Sequence, residues 1–74
     1  MEILKEYKYT NTGIYGILFN NYICLIKMDN ELFCVTHINK TTSDWADTST
    51  QVFTETFTDY LTALDCMLTR IRNS

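Results

Sequence analysis

The chain has 74 residues, 46% apolar, 14% aromatic and 20% charged, with a net charge of −3, two glycines and no proline. Such a composition excludes a disordered acidic tail, a proline- or glycine-rich linker and a low-complexity segment, and it fits one globular domain near the lower size limit for a self-sufficient core. Six bases against nine acids leave no cluster of Lys and Arg of the kind that displaces counterions, so direct nucleic-acid binding is not expected.

The first residues, MEILKEYKY, are too interrupted by charge for a signal peptide. No apolar run is long enough for a transmembrane helix. A cytoplasmic location without membrane contact is the expectation, and with it reduced thiols at Cys24, Cys34 and Cys66.

Ile3 to Tyr9 alternates loosely and reads as a first strand ending in a Thr10-Asn11-Thr12-Gly13 turn. Ile14 to Phe19 reads as a second strand, Asn20-Asn21 as a two-residue turn, and Tyr22 to Met28 as a third strand. Asp29-Asn30 then makes a second two-residue turn into Glu31 to Ile38.

Counting outward from those turns places Tyr15, Ile17, Phe19, Tyr22, Cys24, Ile26, Met28, Phe33, Val35 and His37 on one face. The other face takes Ile14, Gly16, Leu18, Ile23, Leu25, Lys27, Leu32, Cys34, Thr36 and Ile38, and Tyr7 falls opposite Gly16. One face is aromatic, the other aliphatic. Which of them the helix covers stays open.

Residues 39 to 50 read as a polar loop with Trp45 in its middle, either a lid or an anchor. Gln51 to Glu55 has the β-branched content of a short fourth strand or an extended loop. The C-terminal helix follows from Phe57, Tyr60, Leu61, Leu64, Met67, Leu68 and Ile71 at three- and four-residue steps. Thr56-x-x-Asp59 resembles its capping box, with Thr58 as the competing cap. The expected fold is therefore α+β: an antiparallel meander of three to four strands in a single domain, with one C-terminal α-helix packed on one face.

No catalytic constellation accompanies this pattern. His37 and Cys34 are three apart on a strand and point to opposite faces, so they form no dyad. Cys24, Cys34, Cys66 and His37 hold the atoms of a zinc site but lack its close pairs. Neither a cofactor, a metal nor an enzymatic activity is expected.

One helix covers one face, so an apolar sheet face is left to meet something else. Tyr15, Phe19, Tyr22 and Phe33, with His37 at the margin, have the aromatic make-up of an interface core. Residues 41 to 69 carry Asp44, Asp47, Glu55, Asp59 and Asp65 and no base. Read as solvated surface they imply nothing; read as a patch, Asp44, Trp45, Asp47 and Glu55 suit a basic protein partner.

The expected function is thus a small non-catalytic protein-binding protein, a homodimer through its exposed face. The alternatives are a structural homo-oligomer subunit with no outside target, or a module for a small ligand or metal. In general character this short, acidic, proline-free chain, rich in Asn, Ile, Lys, Tyr and Thr, resembles phage- or mobile-element-encoded inhibitors of nucleic-acid-handling host proteins, such as anti-CRISPR proteins. That resemblance implies action in a host cytoplasm.

Overall fold

In the computed structural model, which describes residues 1–43 and 48–73, four antiparallel strands form one sheet in the order β1-β2-β3-β4, with a single helix after them. The strands are β1 (Glu2–Thr12), β2 (Leu18–Lys27), β3 (Phe33–Thr42) and β4 (Ser49–Phe57), and the helix is α1 (Tyr60–Arg72). The meander with a C-terminal helix packed on it is as expected. The strand limits and the register are not.

Asn20-Asn21 makes no turn. Both residues lie inside β2, paired with Thr10 and Tyr9 on one side and with Lys40 and Asn39 on the other. Their amides work sideways across the sheet: Asn20 Oδ1 accepts from Thr10 Oγ1 at 3.1 Å, which supplies partners the strand backbone does not need.

The first reversal lies earlier, at Ile14–Gly16. Tyr15 at φ 59° and Gly16 at φ 75° are both left-handed, as the two central residues of a type I′ hairpin turn must be. Gly13 is needed for a different reason, since a Cβ there would sit 2.8 Å from the Phe19 ring.

The second reversal also departs from expectation by one residue. Met28 N–H donates to the Leu32 carbonyl at 2.8 Å, so Asp29, Asn30 and Glu31 form a three-residue loop, and Glu31 takes the left-handed position at φ 64°. With side chains alternating along each strand, one extra residue swaps the face of everything after it.

The two slips recombine the expected faces. Ile23, Leu25 and Lys27 from one join Phe33, Val35 and His37 from the other on the helix side of the sheet, since Ile23 pairs with His37, Leu25 with Val35 and Lys27 with Phe33. Tyr7 lies opposite Ile23 rather than Gly16. Cys24 and Cys34 share the face away from the helix instead of facing opposite ways, since Cys24 pairs with Thr36 and Ile26 with Cys34. Gln51 to Glu55 is strand, within the longer β4.

The helix starts later than Thr56, which belongs to β4. Asp59 is the N-cap: its Oδ2 accepts from Thr62 N–H and from Thr62 Oγ1, each at 3.0 Å. The buried stripe runs through Ala63 and Met67, with Tyr60, Leu64, Cys66 and Ile71 packed at its edges. Leu61 and Leu68, expected in that stripe, point outward at 69% and 53% exposure. A small residue at 63 lets the helix approach the sheet closely, and rotation toward it turns Leu61 and Leu68 to solvent.

Ile23, Leu25 and Val35 are the largest fully buried side chains, so the core is a thin layer between the middle strands and the helix. Leu4 packs on this cluster at an irregularity in β1 where the register shifts between Ile3 and Lys5. Phe33 meets the Tyr60 ring edge-on at 5.7 Å.

Candidate functional site

Two surfaces have the makings of a site, one on each side of the sheet. A ten-residue strand is about 33 Å long. A 13-residue helix is about 20 Å. The helix therefore ends before the strands do, and a cleft opens beside its last turn.

That cleft, of about 780 Å³, is lined by Asn11, Phe19, Asn21, His37, Asn39 and Gln51 from the strands and by Thr69, Arg70 and Asn73 from the helix end, with Val52 and Phe53 along β4. At its floor is a chain of hydrogen bonds. Arg70 Nε–H donates to His37 Nδ1 at 3.1 Å. His37 Nδ1 must then hold a lone pair, which puts the ring proton on Nε2, where it is donated to Asn21 Oδ1 at 2.8 Å.

The same Asn21 oxygen accepts from Asn39 Nδ2 at 3.0 Å, and Asn21 Nδ2 donates to the Phe19 carbonyl at 3.1 Å. Asn21 and His37 are both buried. Burial, with the Arg70 cation beside it, pushes the His37 pKa below its ordinary value. A neutral imidazole with both nitrogens engaged is a structural element and not a free base.

Arg70 is held from a second direction. Its guanidinium carbon stands 3.6 Å from the centroid of the Phe53 ring. No acidic side chain among the described residues lines the cleft.

The opposite face of the sheet carries no helix. Its rungs are Ile26, Cys34 and Thr56; Cys24, Thr36 and Thr54 with Glu6; Tyr22, Ile38 and Val52 with Lys8; and Asn20, Lys40 and Thr50 with Thr10. Ile3 continues it beside Ile26. The face is less apolar than expected: an isoleucine and cysteine band bordered by threonines, with one aromatic ring among the described residues.

That ring, Tyr22, donates its hydroxyl proton to Glu6 Oε2 at 2.8 Å and has Lys8 Nζ 5.4 Å from its centroid. The bond to Glu6, with burial behind it, pushes its pKa up to about 12. Cys24 and Cys34 are buried between larger neighbours, and desolvation raises the Cys24 pKa.

The residues expected to share one binding face do not share one. Of those among the described residues, Tyr22 alone is on the open face. Phe33 is beneath the helix, His37 and Phe19 belong to the cleft, and Glu55 is exposed on β4 on the helix side, paired with Val35. Tyr15 is at the tip of the first hairpin, 81% exposed beside the equally prominent Ile14. Asp44, Trp45 and Asp47 lie outside the described residues.

Arg70 is the residue that sequence reasoning missed. It falls three residues after Met67 and seven after Ala63, hence on the sheet-facing stripe, and an arginine there is the signal that would have found the cleft. Among the described residues no group of three or more His, Cys, Asp or Glu is placed to hold a metal ion, and no helix is long and apolar enough to cross a membrane. No family model, curated protein or solved structure matches the chain.

Proposed function

We propose that the protein acts by binding and not by catalysis, as a homodimer joined through the open face of its sheet, with a basic protein as its outside partner. One observation carries the reading. An apolar band crosses the open face diagonally, from Ile3 and Ile26 through Cys24 and Tyr22 to Ile38 and Val52, with Thr36 and Thr54 beside it.

Size favours a second copy as the occupant. The molecule measures 43 by 21 Å in its two longer dimensions, roughly 900 Å² in outline, against the about 800 Å² per partner that a specific interface buries. A core built on three large fully buried side chains also leaves much to gain from burial between copies.

Charge favours placing the outside partner on the other side. Glu55 lies on the helix side of β4, and Asp59 and Asp65 are exposed on α1, so a dimer through the open face turns these acids outward. A basic, nucleic-acid-handling protein is the partner such a surface would attract, which is the inhibitor character noted above. The locked His37 and the raised Cys24 thiol agree with a non-catalytic role.

Light scattering together with salt-dependent pull-down tests the reading. The expected mass is twice 8.7 kDa, reduced to one chain by Ile38→Lys with the circular dichroism spectrum kept. Capture of basic proteins that high salt releases is expected from the dimer. A monomer at every concentration would overturn the assembly, and a dimer that captures nothing would overturn the partner.

A further inference from the structure

Arg70 is unusual because no carboxylate among the described residues pairs with it. In a protein with nine acids and six bases, an arginine on a sheet-facing helical stripe would be expected to find a carboxylate. Here Nε is taken by the neutral His37 ring and one face of the guanidinium lies on Phe53. Neither contact neutralises the charge. Among the described residues nothing bonds the two terminal nitrogens, which keep four N–H groups in a fixed plane.

The plane is held, moreover, before any ligand arrives. The stack on Phe53 and the bond to His37 fix the side chain from two directions, and His37 is fixed in turn by Asn21, itself only 5% exposed. An arginine restrained in this way loses little freedom on binding. Among the described residues the rest of the wall is uncharged, and the amides of Asn11, Asn39, Gln51 and Asn73 offer both donors and acceptors.

From this arrangement we infer that the cleft beside the last turn of α1 is a binding site for a small hydroxylated oxyanion, the anionic group on the Arg70 fork and the hydroxyls on the surrounding amides. A carboxylate and a phosphate both match the fork. The hydroxylated body follows from the amides and from the Thr69 hydroxyl, groups that both donate and accept. The site goes beyond the protein-binding role and does not depend on it: the open face lies on the other side of the sheet, and Glu55, Asp59 and Asp65, the acids offered to a basic partner, do not line the cleft.

Nuclear magnetic resonance titration of the full chain tests it, with D-gluconate and glucose 6-phosphate as the two anionic probes and glucose as the uncharged one. The expected result is a saturable shift of the Arg70 Nε–H and of the Asn39 and Gln51 amide signals with at least one anion. A Kd of order 1 mM suits a few hydrogen bonds in an open cleft. The probe that binds more tightly identifies the anion as carboxylate or phosphate.

Arg70→Gln should weaken binding by about tenfold or more, as loss of a charge-assisted fork does. Because that change also removes the bond to His37, Gln51→Glu provides a second reading from the exposed edge strand. It leaves the Arg70 anchor intact and should weaken binding roughly threefold or more through like charge. Absence of a saturable shift with both anions, an equal response to glucose, or unchanged affinity in both variants would overturn the assignment.

Discussion

Replacing Asn21 by Leu isolates what the buried network contributes. Leu is close to Asn in size and leaves no space for a water, so His37 Nε2–H loses its acceptor and stays without one. A buried donor left unpaired costs about 1–3 kcal/mol, and the bond from Asn39, nearer to solvent, adds about 0.5–1.5 kcal/mol. The extra apolar surface that Leu buries returns part of this. A net loss of about 2–3 kcal/mol is expected, a third or more of the stability of a domain this small.

Urea unfolding followed by circular dichroism at one fixed protein concentration measures it, as a lower midpoint at unchanged slope. The double variant Asn21→Leu/His37→Leu removes both partners and should recover much of the loss. A loss below about 0.5 kcal/mol in the single variant would refute the reasoning. So would a double variant no more stable than the two single losses added together.

Three further outcomes are expected. Because His37 titrates below its ordinary pKa of 6.5 in the folded chain, the unfolded chain takes up a proton first as pH falls; this contribution to stability is complete above about pH 6.5 and declines below it. Urea midpoints at pH 7.5 and 5.5 should therefore differ less in His37→Gln than in the parent, and an equal difference would contradict the assignment. The Tyr9 hydroxyl is buried without a partner among the described residues, so Tyr9→Phe should leave stability unchanged or raise it by about 1 kcal/mol, whereas a clear loss in thermal unfolding would show that the hydroxyl is satisfied. Burial raises the thiol pKa values of Cys24 and Cys66, so both should react with iodoacetamide at pH 8 far more slowly than in urea, and equal rates would refute their burial.

Much of the fold is legible in the residues because its signals are local. β-branched and aromatic runs mark the strands, and apolar spacing marks the helix. The register is not legible, because it depends on where the two turns fall. Asn20-Asn21 reads as a turn by propensity, yet it lies within β2, where Thr10 and Asn39 satisfy its side chains from across the sheet.

Similarly, Glu31 gives no hint that it takes a left-handed conformation, and that one residue decides which face Phe33, Val35 and His37 join. The cleft was hidden for the same reason. Its central contact joins His37 to Arg70 across 33 residues of chain, and only the packing of helix on sheet brings them together. The open face was anticipated as a surface without a cover, but its residues, Tyr22, Ile26, Ile38 and Val52 in place of Tyr15, Phe19 and Phe33, follow from the corrected register.

The open face is proposed as the surface between two copies. Isotope-filtered nuclear Overhauser measurement on a mixture of labelled and unlabelled chains reads that contact directly. Intermolecular signals from the methyl groups of Ile26, Ile38 and Val52, with none from Leu61 or Leu68 on the outer side of the helix, are the expected result. Intermolecular signals from the helix leucines, or none at concentrations where light scattering finds a dimer, would contradict it.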